Sequence, residues 1–318
     1  MKNKGIIVFS VAFAATLLVL VGGYYLLNTG FLRQRPTGDA NGVVTKPEGA
    51  SGESFAPPRA DEVVNFLLCG LDESEALTDV IMVASLDTAQ KTVNVFQIPR
   101  DTYVGIDRYP TGKINAVYGS AKKGQTNIDA LIEEVEHTFA LPIDHYATVN
   151  LQGLRKIVDS MGGVTVDIPE SIYFTKTKVI KKGEQVLSGE QAEWFVRYRA
   201  GYVDGDIGRM RAQGLFLKAC AQTALSMSRT KMLSVLTQNY QSITTDLTLA
   251  QVMDYYSMVK DIDIDSVEFY LPEGSGVTHQ SYSVYALDKQ KTADLLNEYF
   301  RPYTDDVPAQ ELPILKPQ

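Results

Sequence analysis

Carboxylates and guanidinium groups cluster in two stretches of this 318-residue sequence. In the first, Asp72 and Asp79 bracket a short polar segment, and Arg100-Asp101 follows an apolar run that ends at Ile98. Two carboxylates and a guanidinium at one place are the groups needed to hold a hard divalent cation and a phosphate. Position alone leaves a second reading open, in which Asp72, Asp79 and Asp101 form turns and Arg100 pairs with one of them. The second stretch is FVRYRAGYVDGDIGRMRAQ, residues 195–213, with four arginines within fifteen residues. Arg197 and Arg199 are two apart, so they converge only if a helix has ended there. Asp206, Arg209 and Gln213 are spaced three and four and share a helix face. Arginine suits phosphate because its planar fork gives two parallel hydrogen bonds and its charge does not titrate away. A solvated, salt-bridged surface would use the same residues, and that reading also stays open.

The elements that must position these groups follow from the hydrophobic pattern. Residues 63–69, 80–86 and 93–98 are short apolar runs rich in β-branched residues and bounded by polar turns, so they read as strands of a sheet covered by helices. The six residues joining the second and third suit a hairpin. If the first two strands also pair antiparallel, Asp72, Asp79, Arg100 and Asp101 fall at one rim, beyond strand ends, where open α/β sheets bind ligands. Helices are predicted around 115–122, over 127–139, over 151–161 ending at Gly162-Gly163, from Ser188 to about Phe195, from Asp206 to about Met227, from Thr248 to about Val259 and from Asp288 to Tyr299. Further strands are expected at 146–150, 164–168, 267–271 and 282–286. The fold class is therefore α/β, a mixed central sheet flanked by helices in three layers over residues 62–300. Four prolines make 301–318 a poor candidate for packed structure.

Residues 5–28 form an uncharged apolar run about 36 Å long as a helix, enough to cross a hydrocarbon core of about 30 Å. Ala12-Phe13-Ala14 lies inside that run rather than after it, which favours an uncleaved anchor over a signal peptide. Residues 1–4 form a short end, and the Gly- and Pro-bearing residues 29–61 read as a tether. Lys2 and Lys4 on one side face Arg33 and Arg35 on the other, so charge leaves the orientation open. A net charge of −8 argues against non-specific binding to nucleic acid. Cys69 and Cys220 lack metal-binding spacing and are expected as core residues rather than a disulfide, and the three histidines match no zinc motif.

Taken together, NFLLCGLD, TDVIMVASLD, IPRDTYV, KINAVYG, VDSMGGVTVDIP, LSGEQAEWFVRYR and DGDIGRMRAQ resemble the LytR-CpsA-Psr family of bacterial cell-envelope proteins, in the family's order and spacing. The resemblance runs from Asn65 to Gln213 and more weakly to Phe300. It implies a phosphotransferase that takes a glycopolymer from an undecaprenyl-pyrophosphate carrier and joins it to peptidoglycan, assisted by Mg²⁺. It also implies a cytoplasmic amino end, one membrane helix and an extracellular catalytic domain. Residue by residue, it places Asp72 and Asp79 at the metal-linked positions. Arg100, Lys113, Arg197, Arg199, Arg209 and Gln213 take the pyrophosphate-binding ones, with Arg100, Asp101, Asp206 and Arg209 at the reacting centre. The face bearing Leu131, Val135 and Phe139 offers a groove lining for a polyprenyl tail, but an amphipathic helix face of this kind is more often plain core. The chain departs from the family at Leu77 and Ala212, where arginines are usual. A hydrolase acting on the same lipid, or a prenyl-phosphate-binding regulator without turnover, are the competing functions.

Overall fold

The computed structural model describes residues 60–259 and 262–317. The predicted anchor 5–28 and all but the last two residues of the predicted tether lie outside them. Among the described residues no helix is long and apolar enough to cross a membrane.

Three strands open the described chain: β1 (Val63–Leu71), β2 (Thr78–Asp87) and β3 (Thr92–Ile98). They bear out the three apolar runs, each extended by a residue or more. β2 and β3 pair antiparallel, with Ile81 opposite Ile98 and Asp87 opposite Thr92. With β4 (His145–Val149), β9 (Ile243–Thr245) and β10 (Val267–Tyr270) they form a mixed six-stranded sheet in the order β10-β3-β2-β1-β4-β9. Three two-stranded pairs complete the strands: β5 (Val164–Ile168) with β8 (Gly183–Leu187), β6 (Ile172–Tyr173) with β7 (Val179–Ile180), and β11 (Gly274–His279) with β12 (Tyr282–Leu287).

The helices start and stop where the local chemistry says they should. α1 (Asn127–Phe139) opens on a capping box between Thr126 and Asp129, and α2 (Leu151–Met161) on the Asn150 side chain. α2 ends at Gly162, whose φ of +94° is the left-handed conformation that a residue with a Cβ resists. α3 (Gly189–Arg197) has the predicted box, Ser188 and Gln191 bonding reciprocally. α4 (Asp206–Leu225), α5 (Arg229–Asn239), α6 (Leu249–Val259) and α7 (Lys289–Phe300) follow.

Two compact units divide the described chain. One consists of 68–73 and 146–269; the other holds 60–67, 74–145 and 270–317. The second unit corrects two expectations, for residues 115–122 and for the tail, and bears out plain core for the face of α1. Residues 115–122 form two 3-10 turns, Ile114–Ala116 and Tyr118–Ser120, instead of a helix, and a Cβ on Gly119 would meet the Ala76 carbonyl at 2.6 Å. The α1 face of Leu131, Val135 and Phe139 is fully buried, with the Phe139 ring edge-on to Phe96 at 5.0 Å; it is core rather than the lining of a lipid groove. The Pro-rich tail is packed, burying Val307, Ala309, Leu312 and Ile314. Arg301 anchors its start, donating to the Phe139 and Ala140 carbonyls that end α1 and to Asn297. Cys69 and Cys220 are buried free thiols, as expected.

Candidate functional site

In the unit containing α1, the predicted residues gather on the chain that leaves β3. Arg100 lies two residues beyond β3, and its guanidinium donates to the carboxylate of Asp79, near the start of β2. The antiparallel register of β2 and β3 makes this pairing possible, because it returns the end of one strand to the start of the other. Asp101 accepts from Lys113 at 3.0 Å, and the Arg100 Nε lies 3.9 Å from the same carboxylate. The backbone of this segment is fixed on two sides. Asn115 and Ile114 donate to the Arg100 and Thr102 carbonyls, while β12 contributes Tyr285, whose N–H donates to Asp101 and whose carbonyl accepts from Tyr103. The Tyr103 hydroxyl sits 3.3 Å from the His279 ring at the end of β11. Between Asp101 and Lys113 the loop is held to α1 by Glu134, a buried carboxylate that accepts two hydrogen bonds from Arg108, at 3.0 and 2.6 Å, and one from the Tyr109 hydroxyl at 2.7 Å.

Leu77 is 38% exposed, two residues before Asp79. The hydrophobic side chain at this position is therefore a surface residue of the 72–79 turn and does not fill the core.

The other unit contains Asp72, half-buried just past β1, and the arginines around the α3–α4 connection. α3 does end at Arg197: Tyr198 is extended, with ψ of 132°, so Arg197 and Arg199 are released from helical spacing. Arg197 is paired twice, with Glu193 one turn earlier at 2.8 Å and with Glu73 at 2.6 Å. Glu193 is almost fully buried and also takes the Arg155 Nε. Burial pushes the Glu193 carboxyl up, but the hydrogen bonds and charges of Arg155 and Arg197 outweigh it and hold the group below the usual carboxylate range. Asp206, first residue of α4, serves two arginines: Arg209 at 3.0 Å and Arg199 at 3.5 Å. Arg209 is 3% exposed, and Asp206 supplies charge beside it. Gln213, also buried, donates to the Val196 carbonyl at 2.7 Å, tying α4 to the end of α3 one residue before Arg197.

The sequence reading missed Glu193, Glu73 and Arg155. Glu193 carried a signal, because it lies four residues before Arg197 on a segment with a helix start marked at Ser188. Glu73 and Arg155 carried none, since their pairings join segments far apart in sequence. Ala212 is buried on α4.

Both clusters set guanidinium groups against carboxylates, and arginine is a residue type suited to binding anions. Each arginine among Arg100, Arg197, Arg199 and Arg209 has a carboxylate partner, which constrains where its guanidinium lies. Among the described residues, no group of three or more His, Cys, Asp or Glu side chains is placed to hold a metal ion.

The model of the LytR-CpsA-Psr family matches residues 34–301. The chain is 28% identical over 305 residues to the polyisoprenyl-teichoic acid–peptidoglycan teichoic acid transferase TagU of Bacillus mycoides, covering 94% of this chain and 97% of that one. It is 28% identical to the TagV transferase of Bacillus subtilis, covering 92% of this chain and 78% of the relative. The crystal structure of B. subtilis TagV superposes with a TM-score of 0.65 and 25% identity over 76% of this chain and 96% of that one.

Proposed function

The chain belongs to the LytR-CpsA-Psr family, and from that membership we propose that it is a glycopolymer transferase that takes its polymer from a polyisoprenyl diphosphate carrier and attaches it to peptidoglycan. Its relatives are named as teichoic acid transferases to peptidoglycan, which supports the class of reaction. The observation that carries the reading is the set of arginines around α3 and α4, each oriented by a carboxylate at 2.6–3.5 Å.

In the proposed reaction a peptidoglycan hydroxyl attacks the phosphorus that bears the polymer. A new P–O bond forms to the acceptor oxygen, the bond from that phosphorus to the bridging oxygen breaks, and polyisoprenyl monophosphate leaves. The hydroxyl proton is released as the ester forms. Such transfer demands charge stabilisation and in-line placement more than covalent chemistry. Arg197 and Arg199, set beyond the helical end of α3, and Arg209, braced by Asp206, hold the diphosphate. In the other unit, Arg100, paired with Asp79, and Lys113, paired with Asp101, are the candidate phosphate donors. Gln213 holds the α3 terminus from which Arg197 projects.

Asp72 and Asp79 are the carboxylates proposed for Mg²⁺. This cation keeps several waters and takes one or two carboxylates together with phosphate oxygens, and each of these half-buried aspartates offers that type of ligand. When bound it neutralises charge on the phosphates. The membrane span 5–28, with the domain outside the cell, completes the proposal: the substrate's lipid tail keeps it at the membrane.

The test incubates the full-length protein with a lipid-linked saccharide, Mg²⁺ and peptidoglycan fragments, and analyses the products by mass. The expected product is a saccharide joined to the fragment through a phosphodiester, with loss of polyisoprenyl monophosphate. Release of saccharide phosphate to water without an ester would identify a hydrolase instead, and tight lipid binding without turnover would identify a regulator.

A further inference from the structure

The hairpin of β6 and β7 is chemically unlike the rest of this acidic chain. Residues 171–183, SIYFTKTKVIKKG, hold Lys176, Lys178, Lys181 and Lys182 and no acidic residue, in a protein of net charge −8. Strand alternation sorts its apolar side chains by face. Ile172 pairs with Ile180 and both are buried, whereas Tyr173, paired with Val179, is 64% exposed. Lys178 is committed: its ammonium lies 4.9 Å from the centre of the Trp194 ring and 3.5 Å from Glu190. Lys176, Lys181 and Lys182 are exposed and make no ion pair among the described residues. The Phe174 ring lies parallel to Trp194 at 6.5 Å. The hairpin is thus fastened onto α3 at Trp194, one helical turn before Arg197.

We propose that this hairpin is a docking element for the anionic surface of a lipid bilayer. Three unpaired ammonium groups complement lipid phosphates. The exposed Tyr173 supplies an apolar ring with a polar tip, the side-chain type that settles at headgroup level. The inference rests on the transferase reading in one respect. A diphosphate esterified to a polyisoprenyl chain lies at the membrane surface, so the helix that ends in Arg197 must be brought down to it. A hairpin seated on that helix three residues away does this directly. A soluble anionic polymer could engage the same lysines but would make no use of the exposed ring.

Trp194 is the chain's single tryptophan, which provides the readout. The full-length protein is reconstituted in phosphatidylcholine bilayers with or without phosphatidylglycerol, with acyl chains brominated near the headgroup, and tryptophan emission is followed as NaCl is raised. Docking predicts quenching that requires phosphatidylglycerol and is reversed by salt, because the screening length shrinks to about 3 Å at 1 M. Each lysine is expected to shift the docking equilibrium about fivefold, so a protein with Lys176→Gln, Lys181→Gln and Lys182→Gln loses about 10²-fold. Tyr173→Ser should weaken quenching while leaving its salt dependence intact. The triple variant should process a water-soluble short-chain diphosphate at the normal rate and a bilayer-borne one more slowly. Quenching that is independent of phosphatidylglycerol, or that soluble teichoic acid abolishes, overturns the proposal. The quenching is measured without substrate, so phosphatidylglycerol-dependent docking in a protein with no turnover would uphold this inference and remove the transferase reading.

Discussion

Glu193 is the side chain on which the orientation of Arg197 depends, and Glu193→Gln tests that dependence. The carboxylate is 5% exposed and accepts from Arg155 through one oxygen and from Arg197 through the other, at 2.8 Å. A glutamine keeps the shape but has only one oxygen, so its amide N–H₂ turns toward one of the two guanidinium groups. One charge-assisted hydrogen bond is lost, each such bond being worth about 1.5–3 kcal/mol when buried. Arg155 is 47% and Arg197 35% exposed, so water recovers part of that, leaving an expected cost of about 1–2 kcal/mol. For a domain of this size the melting temperature should fall by about 2–8 °C. The rate should suffer more, by about 10²-fold, because a misaimed donor is a lost donor in the transition state. The pH dependence has a definite sign. The folded carboxyl titrates below its ordinary 4.5, so its contribution is complete above that pH and drains away as the pH falls through the folded value. The variant lacks this group, and the gap in melting temperature should close in acid. Arg155→Ala is the control, since it removes the far arm of the clamp and leaves Arg197 on Glu193; it should melt slightly lower and turn over at nearly the normal rate. If Arg155→Ala costs as much activity as Glu193→Gln, or if Glu193→Gln keeps a rate within about twofold of normal, then Glu193 serves stability alone and the orienting role is wrong.

Three further outcomes follow from the same geometry. Arg100→Lys keeps the charge beside Asp79 but not the planar fork, and should lower turnover of a lipid-linked substrate by about 10²-fold with little change in melting; a near-normal rate would show that Arg100 only braces the turn. Leu77→Arg replaces a side chain that is 38% exposed, so stability should stay within about 0.5 kcal/mol while turnover rises; a variant that melts normally yet is no faster refutes the value assigned to a guanidinium there. Arg301→Met strips the donors from the Phe139 and Ala140 carbonyls at the end of α1 and should cost about 1–3 kcal/mol, read as a lower denaturant midpoint; an unchanged midpoint would mean that water satisfies those carbonyls.

The parts of the fold that the sequence announced are those decided by neighbours in the chain. Ser188 and Gln191 mark α3, and Gly162-Gly163 closes α2, because capping is a bargain struck within four residues. The β2–β3 hairpin was legible for the same reason. What stayed hidden depends on distant partners. β11 begins Gly-Ser-Gly and is largely exposed, so no apolar alternation marks it; its partner β12 defines it as a strand. The tail after Phe300 reads as a linker by its prolines, yet Val307, Leu312 and Ile314 are spaced to reach into the core once Arg301 has turned the chain across the end of α1. The candidate site divides in the same way. Its cations and three of their carboxylates, Asp79, Asp101 and Asp206, were legible as residue types at motif spacings, while Glu73 and Glu193 were identified as partners only after folding.

Those carboxylates change how the basic residues should be understood. Arg100, Lys113, Arg197, Arg199 and Arg209 bring five positive charges, and Asp79, Asp101, Asp206, Glu73 and Glu193 bring five negative ones in direct contact with them. The protein therefore does not present a bare basic patch, and long-range attraction contributes little to drawing in a diphosphate. Orientation is what the pairing supplies: each fork is held in one plane before the ligand arrives, so less rotamer freedom is lost on binding. The cost is that a phosphate group meets donors whose charge is already answered by a carboxylate. In the proposed reaction a divalent cation carried in on the diphosphate offsets that balance, which is the physical reason for proposing one.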